Sequence, residues 1–537
     1  MDLRPFQYLL TPLRHLGIAD STIEGYTALT GKFEHLDQID EEISKYEIPD
    51  EERKGDVFLP LVHSHGRTFF IVAALAHAFR CRGYRPIIGV CDSFLPLCLR
   101  KYKNPDTSGS CVNCHHETKT HLDAFGFEPA YFESYLPEDY VMPTPEEASP
   151  GSYEYRGVDV SNYALATTRR FLRKYTVDFT DADDRSVYNR FLAAGIGLVD
   201  ATHAIIDEHD IATTIGFHAP YVYGGTIMAT SREREIPTFN QEGGFLREGT
   251  LMFGNMAVGD GIALYSAEGV LENKLSKPLS ETDEEMADEY MLGWRTGANA
   301  RDIHQYTESA TRSLDINTDN PTVGLFSNLL WDSSLIGTDL LFEDPFEWVN
   351  ETIEFCAAEG VTLVVKPHPA ESHVGTNEPI EAAIRDHFDS LPDNVVLLSA
   401  DTDVDPYRLA NQLDAGIVYN STLGLEMAYD SIPVIVAGET HYRDCGFTFD
   451  PDTRDEYFSI LGNCDELTVT PDMKDRAKRY AYHLLAERHI QFDFVDLEAK
   501  PMPPLSHKRL KKGNEKLDEV IDQILTGEPT ISYTEAR

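Results

Sequence analysis

An alternation of short apolar runs with helix-length segments is the feature that most constrains this sequence. Val57–Val62 is an apolar run of strand length, Arg67–Arg80 is an apolar stretch of helix length, and Arg85–Val90 is a second strand-length run. The turn His63–Gly66 follows the first run, and Gly83 precedes the second. A strand, a helix and another strand in this order form a βαβ unit, which indicates a parallel sheet.

The same alternation recurs in both halves of the chain. In the first half, Ala204–Ile206 begins a further alternation, and strands are expected at Thr213–His218 and Ile236–Phe239. In the second half, a helix is expected over Pro345–Glu359, and strands are expected at Thr322–Phe326, Val361–Val365, Asn394–Leu398, Gly416–Tyr419 and Pro433–Ala437. The predicted fold class is α/β, with two doubly wound domains whose ligands bind beyond the carboxyl ends of the strands.

The length and apolar content of the chain favour more than one hydrophobic core. The sequence has 537 residues, of which 42% are hydrophobic, and chains of this size usually divide into domains. The predicted divisions are an N-terminal helical segment at 1–54, a Rossmann-like domain at 55–270 with a cysteine-rich insertion at 91–116, a connecting helical segment at 271–318, a second Rossmann-like domain at 319–505 and a C-terminal helix at 506–537.

The chain is strongly acidic along its whole length. Asp and Glu number 90 against 46 Lys and Arg, which gives a formal net charge of −44. Such a surface repels phosphate backbones and anionic lipids, so the sequence disfavours nucleic-acid and membrane-surface binding. It favours a halophilic protein, because molar salt screens charges within ~3 Å; an acidic mesophilic protein is the alternative. Without a secretory signal or a run of ~18–20 apolar residues, a cytoplasmic location is expected.

A proline-rich turn follows one predicted strand of the second half. Lys366-Pro367-His368-Pro369 comes directly after Val361–Val365, and the two prolines stiffen the turn by fixing φ. A cation and an imidazole donor at the end of a strand suit a phosphate group. The alternative is a structural turn whose histidine caps a neighbouring helix.

A hydroxyl-rich turn follows the strand expected at Gly416–Tyr419. Asn420, Ser421 and Thr422 precede a helix that is expected to reach about Tyr429, and the amino end of a helix attracts anions. Gly424 permits the close approach of a ligand or of neighbouring backbone, and Glu426 can hydrogen-bond a sugar diol. An ordinary helix cap is the alternative, but the two turns together are more specific than either alone.

From about Pro321 to Asp450, the sequence resembles the nucleotide-binding domain of capsular-polysaccharide glycosyltransferases of the Kdo-transferase type. Teichoic-acid polymerases and bacterial sialyltransferases have a similar His-Pro and hydroxyl-pair arrangement. These proteins are GT-B enzymes, in which two Rossmann-like domains face one another across a cleft. The resemblance implies that His368 contacts the donor phosphate and that Ser421 and Thr422 hold it.

Further positions follow from the same resemblance. Asp405-Pro406-Tyr407 fits the pattern, and the segment from Gly438 through Gly446 to Thr448 is implied to form a loop over the nucleotide. The implied donor-binding residues are Lys366, His368, Asn420, Ser421, Thr422, Gly424, Glu426 and Tyr442.

The predicted function is glycosyl transfer from a nucleotide-sugar donor to a cell-surface glycan, a glycolipid or a polysaccharide precursor. CMP-sugars are favoured as donors, and UDP- and GDP-sugars stay open. The reaction is expected to be inverting and to require no catalytic metal, with partner enzymes at the inner face of the membrane. The alternatives are a phosphotransferase that uses CDP-glycerol or CDP-ribitol, a sugar-nucleotide epimerase, and a non-catalytic scaffold of a glycan-assembly complex.

Inverting transfer needs a base that deprotonates the acceptor hydroxyl. The candidates are His65, His218 and Glu242, each of which follows or ends a predicted strand of the first half. Each of them alone is more often structural than catalytic. The acidic motif that supplies the base in sialyltransferases has no clear copy in this sequence.

Half of the eight cysteines lie close together in the chain. Cys91, Cys98, Cys111 and Cys114 have the spacing C-x6-C-x12-C-x2-C. In a reducing cytoplasm, four cysteines in a loop-rich segment indicate a structural zinc site with four thiolate ligands, although the first interval is irregular for such a site. Buried thiols without metal are the alternative. The remaining cysteines are expected to be isolated buried thiols: Cys81, Cys356, Cys445 and Cys464.

Overall fold

The structure is a computed structural model of the whole chain. The residues that it describes are 36, 39–62, 66–101, 109–143, 153–244, 250–255, 269–296, 314, 316, 320–332, 339–492 and 505–531.

The chain divides into two compact units. Unit 1 comprises Met1–Phe171, Asp178–Leu264 and Ile490–Ser532, and unit 2 comprises Leu172–Val177, Tyr265–His489 and Tyr533–Arg537. Each unit contains one of the two large sheets.

The described strands, numbered in chain order, are β1 (Gly55–Val62), β2 (Tyr84–Val90), β3 (Pro129–Tyr131), β4 (Glu154–Tyr155), β5 (Val158–Asp159), β6 (Ile211–Phe217), β7 (Thr238–Gly243), β8 (Thr250–Asn255), β9 (Thr322–Phe326), β10 (Thr362–Lys366), β11 (Val395–Leu397), β12 (Ala415–Val418), β13 (Val434–Val436) and β14 (Ile490–Gln491).

The described α-helices are α1 (Glu41–Ser44), α2 (Gly66–Arg80), α3 (Gly109–Phe125), α4 (Val160–Leu172), α5 (Ala182–Glu208), α6 (Val222–Glu233), α7 (Leu271–Leu275), α8 (Glu281–Thr296), α9 (Pro345–Glu359), α10 (Ala370–His373), α11 (Ile380–His387), α12 (Pro406–Ala410), α13 (Leu423–Tyr429), α14 (Arg454–Gly462), α15 (Pro471–Tyr482), α16 (His507–Leu510) and α17 (Glu515–Thr526). A π-helical turn, His483–Glu487, continues α15.

The sheet of unit 1 has seven strands in the order β14-β8-β7-β6-β1-β2-β3. Its five strands from β7 to β3 pair in parallel, whereas β8 and β14 add an antiparallel edge. Every residue of β1 is buried, as expected for a central parallel strand that helices cover on both faces.

The C-terminal segment completes the core of unit 1. Ile490 pairs with Leu251 in the sheet, and Leu517, Val520 and Ile524 of α17 pack in the same core as the apolar helix α2. Part of the segment predicted as a separate C-terminal helix at 506–537 therefore belongs to this core.

The sheet of unit 2 has five strands, all parallel, in the order β11-β10-β9-β12-β13. Its core contains the fully buried side chains of Trp348, Tyr419 and Tyr457. Helix α9 has the bounds that the sequence predicts, because Asp344 caps its first turn and Gly360 ends it at φ 73°.

Both sheets have the strand order of a doubly wound fold. In chain order within each unit, the parallel strands run 3-2-1-4-5, so the order reverses between β1 and β6 in unit 1 and between β9 and β12 in unit 2. Ligands of such sheets bind at this reversal, beyond the carboxyl ends of the strands. The predicted α/β class with two parallel-sheet domains is confirmed.

Two local predictions were wrong. Ala204–Ile206 was predicted to begin a further alternation of strand and helix. These residues instead lie within the long helix α5, which begins after the cap residue Asp181. Cys111 and Cys114 lie on helix α3 and not in a loop. The predicted N-terminal helical segment falls largely on residues 1–35, which lie outside the described residues, as do 102–108 of the cysteine-rich insertion.

Among the described residues, no helix is both long and apolar enough to cross a membrane.

Candidate functional site

Polar side chains meet at the strand reversal of unit 2. Ser327 and Asn328 follow β9 directly and are both buried. The backbone N–H of His368, beyond β10, donates to the Ser327 hydroxyl at 3.1 Å. The backbone N–H of Asn420, beyond β12, points to the Asn328 side-chain oxygen at 3.5 Å. These contacts connect the ends of three adjacent parallel strands.

The imidazole of His368 has a defined tautomer. The backbone N–H of Ala370 donates to its Nδ1 at 3.1 Å, so the neutral ring carries its proton on Nε2. Burial lowers the pKa of His368 to about 4; the negative charge of Asp332 opposes the shift, and Lys366 adds to it. At neutral pH this ring is therefore an uncharged hydrogen-bond donor.

Lys366 is the last residue of β10, and only 5% of its surface is exposed. Burial lowers the pKa of its ammonium group, while the carboxylate of Asp405 opposes that shift. Asp405 also caps α12, because its side chain accepts from the backbone N–H groups of Tyr407 at 2.8 Å and Arg408 at 3.2 Å. A buried cation at the carboxyl end of a parallel strand suits an anionic ligand.

The turn after β12 differs in detail from the prediction. Helix α13 begins at Leu423, whose backbone N–H donates to the Ser421 hydroxyl at 3.3 Å. Thr422 already has helical dihedral angles, and its side chain makes no capping hydrogen bond. Of the two hydroxyl residues, Ser421 is therefore the one that caps the helix, because a residue outside the helical conformation can direct its hydroxyl to the first free N–H groups.

Gly424 leaves space for a neighbouring side chain. A Cβ atom at this position would lie 2.1 Å from the Tyr442 hydroxyl oxygen. Tyr442 is fully buried, and its hydroxyl donates to the Ser421 carbonyl at 2.5 Å. The close approach at Gly424 is thus made by the side chain of Tyr442, whereas the sequence prediction named a ligand or neighbouring backbone; this contact stabilises the turn after β12.

Glu426 points into the protein. Its carboxyl group is buried, hydrogen-bonds with Tyr407, and lies near the positive charge of Arg295. Burial raises the pKa of Glu426 to about 7 despite these favourable partners. In this arrangement Glu426 contacts helix α12, and any contact with a sugar remains a prediction.

The segment that the resemblance places over the nucleotide is well packed. Tyr442 and Phe447 are buried, and the hydroxyl of Tyr480 donates to the His441 carbonyl at 2.7 Å. Gly446 has φ 78°, which favours glycine, whereas Gly438 has no positive φ. The turn therefore depends on Gly446 for its backbone conformation.

In unit 1, two of the predicted base candidates come together. His218 follows β6, and Glu242 lies near the end of β7, the adjacent parallel strand. One Glu242 carboxylate oxygen accepts from the His218 backbone N–H at 2.7 Å and lies 3.4 Å from His218 Nδ1. His218 has φ 55°, a strained conformation that is concentrated at functional sites. His65, the third candidate, lies outside the described residues.

The sequence interpretation missed three residues beside the unit 2 site. Ser327 and Asn328 directly follow the central strand, and this position is the signal that could have identified them. Glu371, on α10, is buried; one of its carboxylate oxygens accepts from the Ile380 backbone N–H at 3.3 Å, and the other has no hydrogen-bond partner among the described residues. Burial raises the pKa of Glu371 to about 7, and this environment has no sequence signature.

The sequence that forms this site is similar to a known protein family. Residues 332–459 match the family model "Capsule polysaccharide biosynthesis protein". The matched segment contains all the residues predicted to bind the donor, and it lies within unit 2. No curated protein sequence matches the chain.

Three solved structures illustrate the structural similarity. The beta Kdo 2,4 transferase KpsC of Thermosulfurimonas dismutans is 17% identical, over 50% of this chain and 79% of its own, with a TM-score of 0.34. The UDP-GlcNAc 2-epimerase of Methanocaldococcus jannaschii is 8% identical, over 79% and 97%, with a TM-score of 0.30. The Streptomyces sp. SF2575 glycosyltransferase SsfS6 is 9% identical, over 80% and 95%, with a TM-score of 0.21. At these scores no activity or residue role is transferred from them.

Proposed function

We propose that this protein is a glycosyltransferase of capsule-type polysaccharide biosynthesis that takes its sugar from a nucleotide donor bound to unit 2. The observation that carries the proposal is the polar cluster at the strand reversal of unit 2, most of which lies inside the segment that matches the capsule family model. A doubly wound sheet binds its ligand at this point.

The side chains of the cluster suit a phosphate leaving group. The buried ammonium of Lys366 supplies positive charge, and the Nε2–H of His368 supplies a hydrogen bond from a ring whose Nδ1 is already engaged. The Ser421 hydroxyl lies at the turn beyond the adjacent strand. Preorganised donors of this kind stabilise charge that develops as the bond to the phosphate breaks. We further propose that the reaction is inverting and that a CMP-sugar is the favoured donor. In this proposal the same groups stabilise the leaving phosphate, so the reaction needs no catalytic metal.

The proposed base is His218. Glu242 accepts from the His218 backbone N–H and faces Nδ1 at 3.4 Å. A proton on Nδ1 then leaves the Nε2 lone pair to accept the proton of an acceptor hydroxyl. Glu242 would act as a positioning residue that fixes the ring and stabilises its protonated form. The proposed acceptor is a glycan or lipid-linked precursor, supplied by partner enzymes at the membrane.

A transfer assay tests this function. Donors with labelled sugars and CMP, UDP or GDP as the nucleotide are incubated with glycan acceptors in low-salt buffer and in molar KCl. Acceptor-dependent incorporation of label, with release of one nucleotide, is the expected result. Release of an isomerised sugar nucleotide without acceptor would contradict transfer and indicate an epimerase.

Two variants separate the proposed roles. His368→Ala is expected to weaken donor binding, whereas His218→Ala is expected to lower the transfer rate by about 10²- to 10⁴-fold while donor affinity is unchanged. His387→Ala is the matched control in unit 2, because His387 is an exposed histidine paired with Glu354 on the protein surface. Full transfer activity in both His368→Ala and His218→Ala would refute the assignment of these residues.

A further inference from the structure

Four cysteines from three places in unit 1 line one cavity. Cys91 directly follows β2, Cys98 lies in the connection after it, and Cys111 and Cys114 lie in the first turns of α3. The other residues that line this cavity are Val62, Ser93, Leu95 and Arg100. The fold thus brings together all the cysteines that the sequence spacing singles out.

The chemical state and placement of these cysteines suit a metal. None of them forms a disulfide, and all are partly exposed, whereas the remaining cysteines of the chain are buried. Cys111 and Cys114 are three residues apart on a helix, so their side chains lie on the same face. Cys91 is held at the end of β2, because its backbone N–H donates to the Val62 carbonyl at 2.8 Å.

The charge beside the cavity also suits a cluster of thiolates. The Arg100 guanidinium donates to the Cys114 sulfur at 3.5 Å and pairs with Glu117 at 3.2 Å. Four thiolates around a divalent ion carry a net charge of −2, and N–H donors to the ligand sulfurs stabilise such centres. A guanidinium that is already oriented toward one sulfur supplies this interaction.

A second group of possible ligands has the wrong surroundings. His77, Cys81 and His507 are the described residues whose ligand atoms all lie within 4.8 Å of one another. However, Arg80 contacts His77 Nδ1 at 3.0 Å, where a metal-bound histidine would carry a proton and require an acceptor. The imidazole rings of His77 and His507 instead hydrogen-bond to one another, since His77 Nε2 lies 3.0 Å from His507 Nδ1.

We propose that Cys91, Cys98, Cys111 and Cys114 bind one structural zinc ion that joins the end of β2 to the start of α3. On binding, each thiol loses its proton to solvent and each sulfur donates an electron pair to the zinc. Zinc lies about 2.3 Å from each sulfur in a tetrahedral site. Among the described residues, the group whose ligand atoms all lie within 4.8 Å of one another is His77, Cys81 and His507, so zinc binding requires the cysteine side chains to rotate and bring their sulfurs equally close. With all four positions filled by protein, the ion has a structural role, and this proposal does not depend on the donor or the reaction.

Metal analysis of the full-length protein, purified without added zinc, tests the site. One equivalent of zinc per chain is expected, and a chelator should make four further thiols of the folded protein reactive toward a thiol reagent, because the other four cysteines are buried. Replacement by Co²⁺ should give the intense visible absorption of tetrahedral thiolate coordination. The proposal would be overturned if the purified protein contained no metal although all eight of its thiols reacted after unfolding, which would show that the cysteines are reduced and able to bind metal.

Two variants within the cysteine cluster and two control variants, Cys445→Ala and His507→Ala, locate the ion. Cys111→Ser and Cys114→Ser should each lower the bound zinc at least tenfold, whereas Cys445→Ala, at a buried cysteine of unit 2, should retain it. Circular dichroism shows whether each variant is folded, and the Co²⁺ spectrum of the wild-type protein provides evidence that does not depend on variants. Loss of zinc in His507→Ala, together with its retention in Cys114→Ser, would place the ion at the His77 group and refute the proposal.

Discussion

Replacement of Gly424 by Ala tests the packing that supports the donor site. The added Cβ would lie 2.1 Å from the Tyr442 hydroxyl oxygen and 2.9 Å from the ring carbon that bears it. Tyr442 is fully buried and stacks against Phe447 at a ring-centroid distance of 5.9 Å, so the ring cannot move away without displacing other core residues. The hydrogen bond from Tyr442 to the Ser421 carbonyl must therefore break or distort.

The expected cost follows from these contacts. Loss of a buried hydrogen bond costs about 1 kcal/mol, and overpacking of a core costs about 1–3 kcal/mol, so the substitution should destabilise unit 2 by about 2–4 kcal/mol. For a unit of this size, such a loss lowers the midpoint of thermal unfolding by on the order of 10 °C. Differential scanning calorimetry measures the change.

Two further variants make this reasoning refutable. Gly462→Ala is the control, because the new Cβ would lie 3.3 Å from its nearest neighbour, a ring carbon of Phe355, and a change within about 1 kcal/mol is expected. Adding Tyr442→Phe to Gly424→Ala removes the clashing oxygen, so the effects should be less than additive. A wild-type midpoint in Gly424→Ala, or full additivity in the double variant, would contradict the account.

Three further predictions concern individual side chains. Burial raises the pKa of the Glu371 carboxyl from 4.5 to about 7, so its contribution to the free energy of unfolding is fully present below pH 4.5 and is lost as the pH rises through 7. Between these pH values, Glu371→Gln should gain roughly 3 kcal/mol in unfolding free energy relative to the wild type. Parallel curves of stability against pH for the two proteins would refute this prediction. Asp405→Ala removes the cap of α12 and should cost about 1 kcal/mol in thermal unfolding, whereas the exposed control Asp403→Ala should stay within about 0.5 kcal/mol. Glu242→Gln should lower the transfer rate about 10²-fold at unchanged donor affinity, and an equal loss in Glu208→Gln, on the surface of unit 1, would show that the effect is not specific.

The regular elements were predictable where local chemistry specifies them. Thr322–Phe326 and Pro345–Glu359 were predicted with the bounds that the structure has, because a continuous apolar run, an Asp-Pro start and a glycine stop are all local signals. The short pair Ile490–Gln491 was not predicted. It joins a strand far earlier in the chain, and long-range pairing of this kind leaves no local pattern.

The candidate site was predictable in part for the same reason. Strand ends followed by polar residues are visible in sequence, so His368 and Ser421 could be predicted as candidate residues. The pairing of His218 with Glu242 required knowledge that β6 and β7 are neighbours. The burial of Glu371 and Glu426 depends on helices packed from distant parts of the chain, which the sequence pattern does not report.

Isothermal titration of the purified protein with CMP, CDP, UDP and GDP, in low-salt buffer and in molar KCl, tests the central claim most directly. Selective binding of one nucleotide, weakened at least tenfold in His368→Ala and unchanged in His387→Ala, is the predicted result. The same nucleotide at a hundred times its dissociation constant should stabilise the protein by ~2.7 kcal/mol in thermal unfolding. Binding of none of these nucleotides by the folded protein, or equal affinity in His368→Ala, would contradict a nucleotide-sugar donor site in unit 2.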